Sequence, residues 1–184
     1  THTMAIHPDA ADIVRAAAGD GYAESRDGGE SWTFPQGGLK HRYCWSVAVD
    51  PGDPGRVLLT AAAGARRAHT PDSAASYLYR REDGVGGTSD PSDAGDTAAD
   101  STDAGATSTD DAWERLDDSG VPTGEGLLRP VLAPGVADGE LFALTDRGLF
   151  RTADGGDSFA RVDVEWPKAF RDTTASGLAV VEID

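Results

Sequence analysis

Ser25-Arg26-Asp27-Gly28-Gly29-Glu30-Ser31-Trp32 returns later in the chain as Thr152-Ala153-Asp154-Gly155-Gly156-Asp157-Ser158-Phe159, so one pattern, S/T-x-D-G-G-x-S-W/F, occurs twice. A degenerate copy opens at Arg81-Glu82-Asp83-Gly84 and reaches its aromatic residue only at Trp113. Each piece of the pattern has a job in a hairpin turn. The Asp carboxylate and the Ser or Thr hydroxyl hydrogen-bond to backbone groups a few residues away. The Gly-Gly pair supplies the positive φ that a tight turn demands. The Trp or Phe then opens the next strand with a large apolar anchor. Ser25, Asp27, Gly29, Trp32, Asp83, Trp113, Thr152, Asp154, Gly156 and Phe159 are therefore read as structural.

Spacing turns the boxes into an architecture. Asp27 to Asp83 is 56 residues and Asp83 to Asp154 is 71. The Asp-to-aromatic offset is 5 in the first box (27 to 32) and 30 in the degenerate one (83 to 113), an insertion of 25; removing it leaves 71 − 25 = 46. A period of roughly 40–50 residues with four short strands per unit is that of a β-propeller blade. The strands expected are Thr3–His7, Ile13–Ala18, Tyr22–Ser25 and Ser31–Phe34 in the first unit. The second has Cys44–Val49, Val57–Ala62, Ser76–Arg80 and Trp113–Leu116. The third has Leu128–Ala133, Glu140–Thr145, Leu149–Thr152 and Ser158–Val162. Gly177–Ile183 reads as one extra strand. The fold class is thus all-β: a partial propeller of four-stranded antiparallel blades at about 1–38, 39–118 and 119–164, with an extra strand at 177–183. Residues 85–111, acidic and without a large apolar side chain, cannot offset the entropy of ordering and read as a disordered insertion.

On these residues the chain resembles the BNR/Asp-box repeat proteins, the sialidase-like β-propeller superfamily that includes WD40/YVTN/BNR-like repeat proteins. The resemblance implies that the boxes sit on the face opposite the one that binds ligands. It implies little about activity, because a fold hosts many functions. The enzymes of the family hold a substrate carboxylate with three arginines, the first in an Arg-Ile-Pro motif. Here Leu128-Arg129-Pro130 is only an echo of it, so a sialidase-like glycosidase is the secondary reading and no catalytic residue is assigned.

The formal net charge is −16, from 32 acidic against 16 basic residues, and Lys40 and Lys168 are the only lysines. Such a surface repels nucleic acid and anionic membrane, and it suits a halophile, where salt screens the self-repulsion. The single Cys44 excludes an intrachain disulfide, and no run approaches the ~20 apolar residues of a membrane span. A cytoplasmic location is the reading these features give. Three blades leave apolar edges, so closing the ring calls for missing blades or a second copy.

Strand alternation sorts the loops onto two faces. The face away from the boxes gathers Lys40, His41, Arg42 and Tyr43 from one loop and Arg66, Arg67, His69 and Asp72 from another, with His2 beside them. Arg42, Tyr43, Arg66, Arg67, His41 and His69 form the candidate ligand site, for a small anion or a protein partner, since Arg forks suit carboxylates, sulfates and phosphates. The alternative is that these arginines make local salt bridges with neighbouring aspartates. Glu125 with Tyr43 could imitate a nucleophile pair, and Trp166–Asp172 reaches the same face. His2, His41 and His69 lack metal-ligand spacing, so neither a metal nor a cofactor is expected.

Overall fold

The computed structural model describes residues 1–83, 112–168 and 174–183. Three antiparallel sheets follow one another along the chain. The first is β1 (Thr3–His7), β2 (Ala10–Ala18) and β3 (Gly21–Ser25). The second is β4 (Tyr43–Asp50), β5 (Asp53–Ala62), β6 (Ala75–Glu82) and β7 (Glu114–Arg115), with the short β8 (Gly124–Glu125) pairing the start of β6. The third is β9 (Val131–Pro134), β10 (Leu141–Thr145), β11 (Gly148–Thr152) and β12 (Ala160–Val162). Each sheet is a meander, and the inner strands stand side by side, β1 next to β4 and β4 next to β9. This is a sector of a propeller, as the repeat implies.

Two apolar cores fill the seams between sheets. The first packs Ala17 and Tyr22 of sheet one against Val47, Leu59, Tyr79 and Trp113 of sheet two. The second packs Ala48, Leu58 and Leu78 from the other side of sheet two against Leu132, Leu141, Phe150 and Phe159. Alternation along β5 makes this possible: Val57 and Leu59 enter one core, Leu58 the other. The central sheet is therefore apolar on both sides, as a blade between two blades must be.

The boxes fold as their composition demands. Asp27 accepts the Ser31 N–H at 2.8 Å, and the Ser25 hydroxyl accepts the Gly29 N–H at 2.8 Å while donating to Asp27 at 2.7 Å. Asp154, Ser158, Thr152 and Gly156 repeat the arrangement with distances of 2.6–3.1 Å. Asp83 behaves differently. Its carboxylate meets Arg15, Arg26 and Arg81 across the first seam, where Glu24 also takes Arg81 at 2.5 Å.

Two expected strands are absent. Ser31–Phe34 is reduced to a single bridge, Glu24 to Thr33; Trp32 and Phe34 are exposed there, and no apolar partner among the described residues draws the segment into a longer ladder. Residues 177–183 form no strand. Gly177 and Leu178 line a cleft of 510 Å³ beside β1, β4 and β9, and no described strand is placed to pair with them. Conversely, the loop after β5 contains a short helix, α1 (Ala65–His69), and a 3-10 turn at Pro71–Ser73. The reading of 85–111 as an acidic insertion falls outside the described residues.

Candidate functional site

The starts of β4, β6 and β9 and the end of β5 all lie on the face away from the boxes, so the loops carrying His2, Tyr43, His69 and Arg129 converge. The structure brings Tyr43 and His69, with His2, into one group and His41 into another. Tyr43 and His69 meet directly, hydroxyl to Nε2 at 2.9 Å, and His2 Nε2 is 3.4 Å from the same hydroxyl. Trp45 lies among them, its ring 4.5 Å from His2 and 4.8 Å from His69. The Arg129 guanidinium lies over that ring at 4.4 Å.

The reason is a β-bulge. Cys44 pairs with Ala61 and Ser46 with Thr60, leaving Trp45 as the extra residue. A bulge of this kind re-aims a side chain at a rim. Sheet one holds it in place: His2 Nδ1 lies 2.7 Å from the Cys44 carbonyl, and Thr3 Oγ1 donates to the Trp45 carbonyl at 3.3 Å. The Arg129 N–H donates to Ala68 O at 3.0 Å, which ties the approach to β9 onto α1.

His41 belongs to the second group. It stacks on Tyr77 at 4.1 Å, and its Nδ1 lies 2.6 Å from the Tyr79 hydroxyl. Arg115 covers Tyr77 from β7 at 5.1 Å. Burial pulls the His41 pKa down, aided by Arg115, Lys40 and Arg67. Burial also lowers that of His69, with Arg129 and His2 adding to it. Both imidazoles are thereby held towards the neutral form, surrounded by positive charge. Burial pushes the Tyr79 phenol and the Cys44 thiol each up to about 12, so neither is a ready nucleophile.

The arginines divide by face. Towards the boxes, Arg15, Arg26, Arg56, Arg80, Arg81 and Arg151 all pair with carboxylates. On the other face Arg115 pairs with Asp117. Arg42, Arg66, Arg67 and Arg129, by contrast, enter none of the salt bridges formed among the described residues. The buried Arg129 Nε also lacks a hydrogen-bond partner among them. Arg42 and Arg66 are exposed, and Arg67 is close enough to His41 to act on its charge.

Glu125 is carried by β8 on the edge of β6, and its carbonyl accepts from Arg147 at 3.3 Å; the Tyr43 hydroxyl is engaged by the histidines instead. Trp166 is half-buried, and the rest of its segment lies partly outside the described residues. No group of His, Cys, Asp or Glu side chains among the described residues is arranged to hold a metal ion. Sequence reasoning passed over Trp45 altogether and treated Arg129 only as a motif echo.

No family of known proteins and no curated protein matches the sequence. Solved structures do match in shape. An ancestral GH74 enzyme aligns over 88% of this chain and 18% of its own, at 11% identity and a TM-score of 0.55. The GH74 xyloglucanase from Xanthomonas campestris aligns over 86% of this chain and 20% of its own, at 18% identity and a TM-score of 0.52. YCF48 from Cyanidioschyzon merolae aligns over 86% and 38%, at 14% identity and a TM-score of 0.45. At these identities the two GH74 structures support the fold alone, and this chain spans about a fifth of their length. No helix among the described residues is long and apolar enough to cross a membrane.

Proposed function

We propose that this chain forms a sector of a β-propeller that binds a carboxylate-bearing ligand or protein partner on the face opposite the boxes, without chemical turnover. One observation carries the reading: Arg42, Arg66, Arg67 and Arg129 have no carboxylate partner among the described residues, in a chain with an excess of 16 negative charges. An acidic protein that pairs its box-side arginines with carboxylates but leaves these four without one presents positive charge to an anion on the face away from the boxes. Trp45 stiffens Arg129 by stacking, which keeps the guanidinium edge presented and reduces the entropy lost on binding. Tyr43 and His69 add hydrogen-bonding groups beside it. The alternative as a sialidase-like glycosidase draws less support, since the Tyr43 hydroxyl faces His69 rather than a carboxylate.

Each shielded Arg–carboxylate contact contributes about 1.5–3 kcal/mol. Arg129→Ala is therefore expected to weaken binding of acetate, measured by NMR titration at constant ionic strength, by tenfold or more, with the fold retained. Acetate affinity unchanged in both Arg129→Ala and Arg67→Ala would refute the reading.

A further inference from the structure

The repeat also identifies a surface whose covering can be read from its two equivalents. Trp32, Trp113 and Phe159 hold the same place in their boxes. Trp113 is 3% exposed and Phe159 8%, but Trp32 is 37% exposed. What buries the second and third is the same device each time. The connection leaving the preceding sheet crosses the aromatic residue, and its carbonyl accepts the aromatic residue's N–H: Trp113 N–H to Gly37 O at 2.9 Å, Phe159 N–H to Ser119 O at 2.6 Å. The next residue is a glycine at positive φ, Gly38 at 75° and Gly120 at 98°. A Cβ on either would collide with the carbonyl oxygen of the aromatic residue beneath it. An aliphatic residue follows, Leu39 in the first core and Val121 in the second.

The rest of that side of sheet one matches as well. Aligning the turns His7-Pro8 and Asp50-Pro51 places Met4 and Ile6 at the positions of Val47 and Val49. Val47 and Val49 are buried, whereas Met4 and Ile6 are exposed, as is Phe34 beside Trp32. These side chains form one apolar face, since alternation puts Ala5 on the opposite side, against the first core.

We propose that this face receives the trailing side of a further four-stranded blade, whose outgoing connection carries a carbonyl, a left-handed glycine and an aliphatic residue over Trp32. A second copy of this chain does not supply that chemistry. The connection leaving its third sheet has no glycine between Gly156 and Gly177, and Trp166 and Pro167 stand where the crossing would occur.

The test extends the chain at its N-terminus with a second copy of residues 43–127, the middle sheet with its Gly120 connection. Hydrogen exchange of the Trp32 amide is then compared in the 184-residue and extended chains. The expected result is at least 100-fold slower exchange in the extended chain, lost when the added copy carries Gly120→Val. A second comparison guards against a poorly folded extension. Ile6→Asp should leave the melting temperature of the 184-residue chain unchanged and lower that of the extended chain. Equal exchange together with equal Ile6→Asp effects would overturn the proposal. So would sedimentation showing that the 184-residue chain dimerises and that Ile6→Asp abolishes the dimer, because the occupant would then be a second copy.

Discussion

Substituting Gly120 by Ala probes the seam between the second and third sheets, with Gly28→Ala as its control. Both glycines have positive φ, 98° and 73°. A Cβ at Gly28 would have nothing within 4 Å, so only the backbone conformation resists it, at about 1–2 kcal/mol. At Gly120 the same cost applies and the Cβ also meets the Phe159 carbonyl oxygen, which is backbone and cannot swing aside. Moving it strains the 2.6 Å bond from the Phe159 N–H to Ser119 O, worth about 1 kcal/mol. It also lifts Phe159 from the second core, so the expected total is about 3–4 kcal/mol. Urea unfolding reads the difference directly as a lower midpoint at unchanged slope. Equal losses in the two variants would refute the claim that the crossing glycine locks neighbouring sheets together.

Other consequences follow from the buried charges, the boxes and the site. Glu24→Gln removes the carboxylate beside the buried Arg15 and Arg81; the uncompensated charge should cost about 3–5 kcal/mol in the same unfolding assay. The pKa of Asp27 is lowered from 3.8 to about 2, chiefly by hydrogen bonds from Ser31 and Ser25. For Asp154 desolvation opposes the shift, but bonds from Ser158 and Thr152 prevail and also bring it to about 2. A depressed carboxyl pKa stabilises the fold above the unfolded value and loses that contribution as pH falls. Stability should therefore decline between about pH 4 and pH 2, and Asp154→Asn should flatten that decline in melts recorded across the range. Trp45→Ala frees the Arg129 guanidinium from its stack, so acetate affinity should fall severalfold while the far-ultraviolet circular dichroism is kept.

Much of the fold was legible because hairpin turns announce themselves locally. The D-G-G boxes and the Pro-led turns after β1, β4 and β9 fixed where strands begin and end, and β1 matches its expected span residue for residue. The reduction of the expected Ser31–Phe34 strand to a single bridge was not legible. The strand's formation depends on a neighbour covering Trp32, which no local pattern reports. At the candidate site, loop sorting placed these segments on one face but could not say which side chains meet. His41 and Tyr43 are two residues apart in sequence yet join different aromatic groups, one on Tyr77 and one on His69. The bulge at Trp45 and the stack of Arg129 upon it depend on sheet-to-sheet packing, so they left no periodic trace.

The most direct measurement follows the ring C–H resonances of His69 and His41 while acetate is titrated at constant ionic strength, with chloride as the control. An anion bound beside Arg129 stabilises protonated His69, so saturable shifts at His69 should come with a rise in its pKa. Shifts no larger than those given by chloride, or a His69 pKa unmoved at saturating acetate, would contradict an anion-binding face.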